Sequence, residues 1–185
     1  MEIKRLNYEV RSVAEQDYKE IHRIYAPYVR DTAISFEVDV PSEKEIKERI
    51  AAVSKKYPYL VCVEDRKIIG YAYASEHQKR AAYCYGVDVS IYLEQNRHSE
   101  GFGTLLYKRL FELLAKQGYM NAYAGITLPN EKSCKLHEKF GFVPVGTYHK
   151  TGYKFGRWYD VLWMEKRIRE TLPQAGILDI RDIIG

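Results

Sequence analysis

Val87-Asp88-Val89-Ser90-Ile91-Tyr92-Leu93, followed by Glu94-Gln95-Asn96-Arg97-His98-Ser99-Glu100-Gly101-Phe102-Gly103-Thr104, reads as a strand running through a glycine turn into a helix. The first seven residues are rich in β-branched and aromatic side chains, which suit a pleated, half-buried surface. From Phe102 onward, Leu105, Leu106, Leu110, Leu113 and Leu114 continue an apolar stripe at helical spacing. A helix that starts at such a turn leaves its first N–H groups without internal partners and aims the positive end of its dipole at the same spot. Strand, turn and helix start therefore form an anion site, and glycine lets the backbone approach a phosphate with no Cβ in the way. The pattern is neither Gly-x-Gly-x-x-Gly nor the P-loop Gly-x-x-x-x-Gly-Lys-Ser/Thr, which argues against both of those folds. Two glycines in a strand-to-helix turn are common, so the pair alone is a weak signal.

The 185 residues are enough for one domain with a real core. Lys and Arg number 29 against 25 Asp and Glu, a net charge of +4 with no block of like charge. That balance suits small anionic ligands better than a nucleic-acid surface. Cys62, Cys84 and Cys134 are widely spaced, two of them in apolar strand-like runs, and no Cys-x-x-Cys occurs. Neither a zinc site nor a disulfide framework is expected, and free thiols suit a reducing cytoplasm. The N-terminus lacks a signal-peptide apolar core, and no apolar run approaches membrane-spanning length, so no membrane association is expected. Seventeen tyrosines, many in the middle of the chain, are enough to line a pocket with a polar rim.

Taken in order, residues 3–13 alternate as a first strand, and Ser12-x-x-Glu15 has the form of a capping box. Tyr18, Ile21, Ile24, Tyr25 and Tyr28 mark an amphipathic helix to about Arg30, with His22 on its face. Residues 31–40 read as a loop over a site, and Ser42 with Glu45 opens a helix to about Lys55. Residues 57–64 and 68–75 form a hairpin about Asp65-Arg66-Lys67. After the central strand and its helix, Gly118 is a C-cap, residues 121–127 are a strand, and Asn130 caps a helix over 131–140 that Gly141 ends. Residues 142–151 and 158–166 are two last strands joined by residues 152–157, and Ile177, Ile180, Ile183 and Ile184 suggest a short final helix. The expectation is a single α+β domain over 1–185, with a core of about 8–166 and a tail over 167–185. Its sheet is mixed and mostly antiparallel, with helices on both faces.

That order of elements resembles the GNAT superfamily of acyl-CoA-dependent N-acetyltransferases, and within it the phosphinothricin N-acetyltransferase family. The resemblance covers about residues 8–166. It rests on Tyr57-Pro58-Tyr59-Leu60-Val61, Gly70-Tyr71-Ala72-Tyr73-Ala74, Leu128-Pro129-Asn130, Leu136-His137-Glu138 and Gly152-Tyr153-Lys154-x-Gly156-x-Trp158-x-Asp160-Val161. Several motifs in the right order are far more specific than one glycine pair.

The resemblance implies acetyl-CoA as co-substrate, no metal, and the α-amine of a small amino acid as acceptor. Phosphinothricin, methionine sulfone and methionine sulfoximine are the implied acceptors. Alternatives are another amine (arsinothricin, a polyamine or a peptide N-terminus) or a non-catalytic acyl-CoA sensor. An α-amine must shed a proton near neutral pH, its pKa being about 8. The family's base is a Glu on the central strand, and the matching position is Asp88, one methylene shorter. His137 stands where the phosphinothricin branch has a catalytic or substrate-ordering His. The cofactor is implied to lie along Val89, Ser90, Ile91, Tyr92 and Leu93. Its pyrophosphate is implied at His98, Ser99, Glu100, Gly101, Phe102, Gly103 and Thr104, with Asn130 and Ser133 beside the pantetheine. His98 departs from the usual Gln or Arg, but a site built of backbone N–H groups tolerates that change. Phe36, Tyr73, Gln78, Arg80, Tyr83 and Thr127 align with the acceptor pocket, with Arg80 suited to a carboxylate. Tyr153, Trp158 and Asp160 are expected to hold the last strands and a homodimer contact.

Overall fold

The structure is a computed structural model and describes residues 8–184. The part of the expected first strand over residues 3–7 lies outside the described residues. Seven strands form one sheet in the order β1-β2-β3-β4-β5-β7-β6. They are β1 (Tyr8–Ser12), β2 (Tyr59–Glu64), β3 (Lys67–Glu76), β4 (Gly86–Leu93), β5 (Asn121–Thr127), β6 (Val143–Lys154) and β7 (Arg157–Arg167). Every neighbouring pair is antiparallel except β4 and β5, which run parallel.

Helices cover both faces, as the sequence implied. The α3 helix (Phe102–Gln117) packs Leu106, Tyr107, Leu110 and Leu114 against Leu60, Cys62, Ala72, Ala74, Val87 and Val89 of the sheet. The α4 helix (Glu131–Lys139) adds Cys134 and Leu136 to the same core. On the other face, α1 (Tyr18–Asp31) and α2 (Glu43–Ser54) bury Ile21, Ile24, Tyr25, Tyr28, Ile46 and Ile50 against Tyr59, Val61, Ile68 and Tyr71. The period-2 alternation of β4 thus sends Val87 and Val89 to one core and Asp88, Ser90 and Tyr92 to the opposite face.

Caps and turns explain most boundaries. Ser42 Oγ accepts from Glu45 N at 3.2 Å while the Glu45 carboxylate accepts from Ser42 N at 2.7 Å, the reciprocal box expected. Gly118 ends α3 at φ +100° and Asn130 Oδ1 accepts from Ser133 N at 3.2 Å. The Ser12–Glu15 box does not form. Instead Asp17 accepts from Ala14 N at 2.7 Å and pairs with Arg11 at 2.6 Å, so α1 starts at Tyr18. Asp17 is buried, and a buried carboxylate with a bidentate guanidinium partner outcompetes an exposed cap.

The β6–β7 connection is shorter than expected. Both strands continue through residues 152–157, and only Phe155 and Gly156 turn, at φ +50° and +74°. Two left-handed residues in succession match the twist of an antiparallel hairpin. Asp65 and Arg66 do the same between β2 and β3. Of the cysteines, Cys84 sits exposed in a short turn after Tyr83 and not in a strand. The tail is part of the fold. Ile180 is buried, Leu178 O accepts from Gln117 Nε2 at 3.2 Å, and only Arg181–Ile184 is helical, forming α5.

Candidate active site

The parallel ladder between β4 and β5 has three residue pairs, Gly86–Asn121, Val87–Ala122 and Asp88–Tyr123. Beyond Asp88 the strands diverge, while β5 stays paired to β7 as far as Thr127. The edge of Val89–Leu93 that faces β5 therefore presents backbone N–H and C=O groups to an open gap. Val89, Ser90, Ile91, Tyr92, Tyr107, Thr127, Asn130, Ser133 and His137 all line this inner gap, about 70 Å³ in volume.

The gap opens into a larger cleft of about 520 Å³. Ile91, Leu93, His98, Ser99, Gly101, Gly103 and Thr104 line one side, and Asn130, Ser133 and Leu136 of α4 the other. Gly101 takes φ +93° as N-cap of α3. An added Cβ there would touch nothing within 4 Å, so its dihedral and not crowding calls for glycine. Gly103 is different, since a Cβ would come 3.2 Å from Leu136 Cδ2. Glycine at 103 lets α3 and α4 approach at the mouth of the cleft. The cleft floor is thus the N-terminal end of a 16-residue helix, where Thr104 N donates to Gly101 O at 3.0 Å and the amides of Phe102 and Gly103 precede the first helical bond.

Glu100 does not oppose an anion there. Its carboxylate is exposed and bound to Arg97 at 2.9 Å, and Arg97 also reaches Glu64 at 2.7 Å. Phe102 is buried under the Arg97 guanidinium, 4.9 Å from ring centroid to Cζ. Phe102 is thus a core residue that supports the turn. The His98 ring is tied to α1. The Tyr28 hydroxyl has one proton and lies 2.6 Å from the Leu93 carbonyl, which can only accept. His98 Nε2, 2.9 Å from that hydroxyl, must therefore be the donor. Burial, with Lys132 nearby, keeps the His98 pKa below its ordinary value.

On the α1/α2 face, Asp88 Oδ1 lies 2.6 Å from His77 Nδ1. Burial raises the Asp88 pKa above the usual carboxylate value, and the His77 bond opposes that rise. Tyr73 lies across from Ser90 in the ladder and stacks on Tyr59 at 4.8 Å. Burial pushes its phenol up. Gln78, Arg80 and Tyr83 follow β3 in an exposed loop that rims a separate open cleft with His77. Phe36 is taken up by the β6–β7 hairpin, where its ring lies so close to Gly152 that a Cβ there would come within 2.1 Å. Ile34, from the same loop, reaches both the gap and the large cleft.

His137 is 3% exposed and lies on the α3/α4 face, opposite Asp88 across the sheet. Its Nδ1 lies 2.8 Å from the Ser133 carbonyl, so Nδ1 donates and carries the ring proton. Nε2 then accepts from the Tyr107 hydroxyl at 2.8 Å. Burial lowers the His137 pKa, and burial strongly raises that of Tyr107, so both are neutral near pH 7. The structure thus brings the predicted cofactor residues together along the gap and the cleft, except Glu100 and Phe102, and separates Asp88 from His137 by the sheet.

Several residues were not singled out from sequence. Tyr28, Lys132 and Lys135 line the cleft, the two lysines adding positive charge near the α3 amides. Tyr107 is one residue of an ordinary-looking apolar stripe. His77 lies two positions beyond Ser75, the cross-strand partner of Asp88. That diagonal is visible only once the β3–β4 register is known. Among the described residues no group of three His, Cys, Asp or Glu side chains is placed to hold a metal ion. No helix of the described residues is long and apolar enough to cross a membrane.

The acetyltransferase (GNAT) domain family matches residues 10–163. A phosphinothricin N-acetyltransferase of Streptomyces coelicolor is 38% identical over 162 residues, covering 85% of this chain and 95% of its own length. An L-methionine sulfoximine/L-methionine sulfone acetyltransferase of Salmonella typhimurium is 32% identical over 114 residues, covering 62% of this chain and 67% of its own. A crystal structure of a phosphinothricin acetyltransferase from Sinorhizobium meliloti in complex with AcCoA superimposes with a TM-score of 0.88 at 32% identity, covering 93% of this chain and 96% of that one.

Proposed function

The chain belongs to the GNAT acetyltransferase family and is an N-acetyltransferase that uses acetyl-CoA, and from that premise we propose that its acceptor is the α-amine of a small amino acid. Phosphinothricin, methionine sulfone and methionine sulfoximine are the first acceptors to try, since relatives are named for them. The observation that carries the reading is the divergence of β4 from β5 beyond Asp88. It joins an anion-binding helix start on one side to a part-buried carboxylate on the other.

In this reading the pyrophosphate sits on the α3 amides around Gly101–Thr104, with Lys132 and Lys135 at the rim. The pantetheine arm lies in the gap and pairs with the edge of Val89–Leu93 as an added strand would. Asn130 and Ser133 flank it. An N–H near Val89 faces the thioester oxygen and stabilises the charge that develops on it. Asp88 removes the ammonium proton, directly or through one water, and its raised pKa suits it to that task. The freed amine attacks the thioester carbon, the C–N bond forms and the C–S bond breaks, and the surplus proton of the attacking nitrogen passes to the departing sulfur, leaving the N-acetyl amide and CoA thiol. Tyr107 and His137 wall the sulfur side, and the Tyr107 hydroxyl swings from His137 Nε2 to hydrogen-bond the departing sulfur. Tyr73 and Thr127 border the acceptor, and Arg80 at the loop holds its carboxylate.

We further place the protein in the cytoplasm as a homodimer that inactivates toxic amino-acid analogues. The three thiols are all free, which suits a reducing compartment. Strand β6 is a sheet edge, and Val143, Val145, Tyr148, Tyr153 and Trp158 on β6–β7 are exposed apolar side chains that a second copy would cover. Light scattering checks the dimer.

The test is acceptor-dependent release of CoA thiol from acetyl-CoA, with phosphinothricin, methionine sulfone, methionine sulfoximine, spermidine and a short peptide side by side. Turnover on the amino acids, lost in Asp88→Ala, supports the reading. Turnover on spermidine or peptide alone overturns the acceptor class. Acetyl-CoA binding with no thiol release from any acceptor points to a sensor.

A further inference from the structure

We infer that His77 is the positioning residue for Asp88: its Nδ1–H holds Oδ1 of the carboxylate so that Oδ2 is the oxygen presented to the acceptor amine. The inference rests on the reading of Asp88 as the base.

Three observations carry it. The first is the contact itself, 2.6 Å between His77 Nδ1 and Asp88 Oδ1. An ionised carboxylate only accepts, so the proton is on Nδ1. The second is the clamp on the ring. His77 stacks on Tyr123 with centroids 4.0 Å apart and planes at 19°. Trp163 and Tyr83 meet it edge-on at 6.3 and 6.4 Å. The third is Gly86, where a Cβ would come 3.2 Å from the Tyr123 ring and 3.9 Å from His77 Cδ2. Glycine at 86 leaves the space in which the stacked pair sits beside Asp88. An imidazole held on three sides aims one N–H, and a short aspartate held by that N–H has one orientation. The role is specific to a short base: a residue one methylene longer reaches the amine by itself, whereas Asp88 gains its aim from a neighbour.

Charged and titratable groups face His77 from three strands and the loop after β3. Glu76 precedes it on β3, and Lys79 and Arg80 share its open cleft. Tyr123 lies beneath it on β5, and Glu165 and Arg167 of β7 act on Tyr123. Among the described residues, the ion-pair partner of His77 is Asp88. Removing the N–H removes the interaction that keeps Asp88 ionised against its burial, so its pKa rises further.

The test uses two variants and two readouts. His77→Phe keeps a ring on Tyr123 and deletes the donor. His77→Asn keeps an amide N–H near the place of Nδ1. In wild type, kcat/KM against pH falls on its acid limb as Asp88 protonates. His77→Phe should lower kcat roughly 10- to 100-fold, the worth of a hydrogen bond to a charged group. It should leave KM for acetyl-CoA unchanged and move the acid limb to higher pH. His77→Asn should keep the limb near its wild-type position. In parallel, the Asp88 carboxyl carbon is titrated by NMR in protein without substrate, where the same upward shift is expected in His77→Phe. An unmoved limb and carboxyl titration in His77→Phe, or an equal shift in His77→Asn, overturns the inference. Wild-type protein silent with every acceptor overturns the enzyme reading instead, and the carboxyl titration still decides the role of His77.

Discussion

Lys154 Nζ donates to the Val29 carbonyl at 2.5 Å, so the end of β6 closes the last turn of α1. The same ammonium donates to Thr32 O at 2.9 Å and Ser35 O at 2.8 Å. All three of its protons are used, and the side chain is buried. Burial lowers its pKa, which the three carbonyl dipoles make tolerable. Two residues earlier on the same face of β6, Gly152 makes the space for Phe36. The Gly-Tyr-Lys stretch thus anchors the α1–α2 loop, from which Ile34 reaches the gap. Lys154→Met should leave buried carbonyls without donors and lower stability by about 2–4 kcal/mol. Urea unfolding measures this. Lys154→Arg should not rescue it, because a planar fork cannot replace three diverging N–H bonds.

The two glycines of the pyrophosphate turn should respond differently to alanine. Gly101 holds a left-handed φ of +93°, so Gly101→Ala strains the turn by about 1–2 kcal/mol. The strain falls on the amides that hold phosphate, and acetyl-CoA affinity should drop with the melting temperature. Gly103→Ala meets only the end of Leu136, which can move. It should cost less affinity. Calorimetric titration with CoA separates the two.

Asp88→Asn should divide activity from stability. Loss of the base should lower kcat by roughly 10²–10⁴-fold while KM for acetyl-CoA stays the same. Folding raises the pKa of Asp88, so its ionised form destabilises the native state at neutral pH. The neutral amide removes that penalty. The variant should melt no lower than wild type, and differential scanning calorimetry at pH 7 checks it.

His137 makes stability fall in mild acid. Its folded pKa lies below the ordinary 6.5, so the unfolded chain takes up a proton before the folded one does. Stability is therefore lost as pH falls below about 6.5, at up to about 1.4 kcal/mol per pH unit for each such group. His98 acts in the same direction. His137→Gln should remove one proton from that slope between pH 7 and 5, read from urea midpoints across the range.

Much of this architecture is legible along the chain because its signals are local. Residues 121–127, the Ser42–Glu45 box, the Gly118 cap and the Asn130 cap each depend on neighbours within a few positions, and each forms. The anion site is equally local, since backbone geometry and one αL glycine suffice. What the sequence hides is contact across distance. Phe36 is claimed by Gly152, and the Arg97 that draws Glu100 away from the cleft is itself held by Glu64, 33 residues earlier. His77 is the sharpest case. It reads as one more polar loop residue until the β3–β4 register sets it against Asp88. Asp88 and His137 are prominent in their motifs, yet the alternation of β4 and the packing of α4 on α3 put them on opposite faces.

The three-pair contact between β4 and β5 is also a mechanical seam. Two halves of one sheet meet there with few backbone bonds in the middle, although each half is well laced within itself. A molecule lying in the gap supplies the missing rungs, so the cofactor serves as a removable part of the scaffold as well as a reagent. The unfolding free energy of the protein then follows the supply of acetyl-CoA and CoA, rising with the logarithm of their concentration over the dissociation constant. Starved of both, the seam is the place where the sheet would part first and where a protease would find its opening.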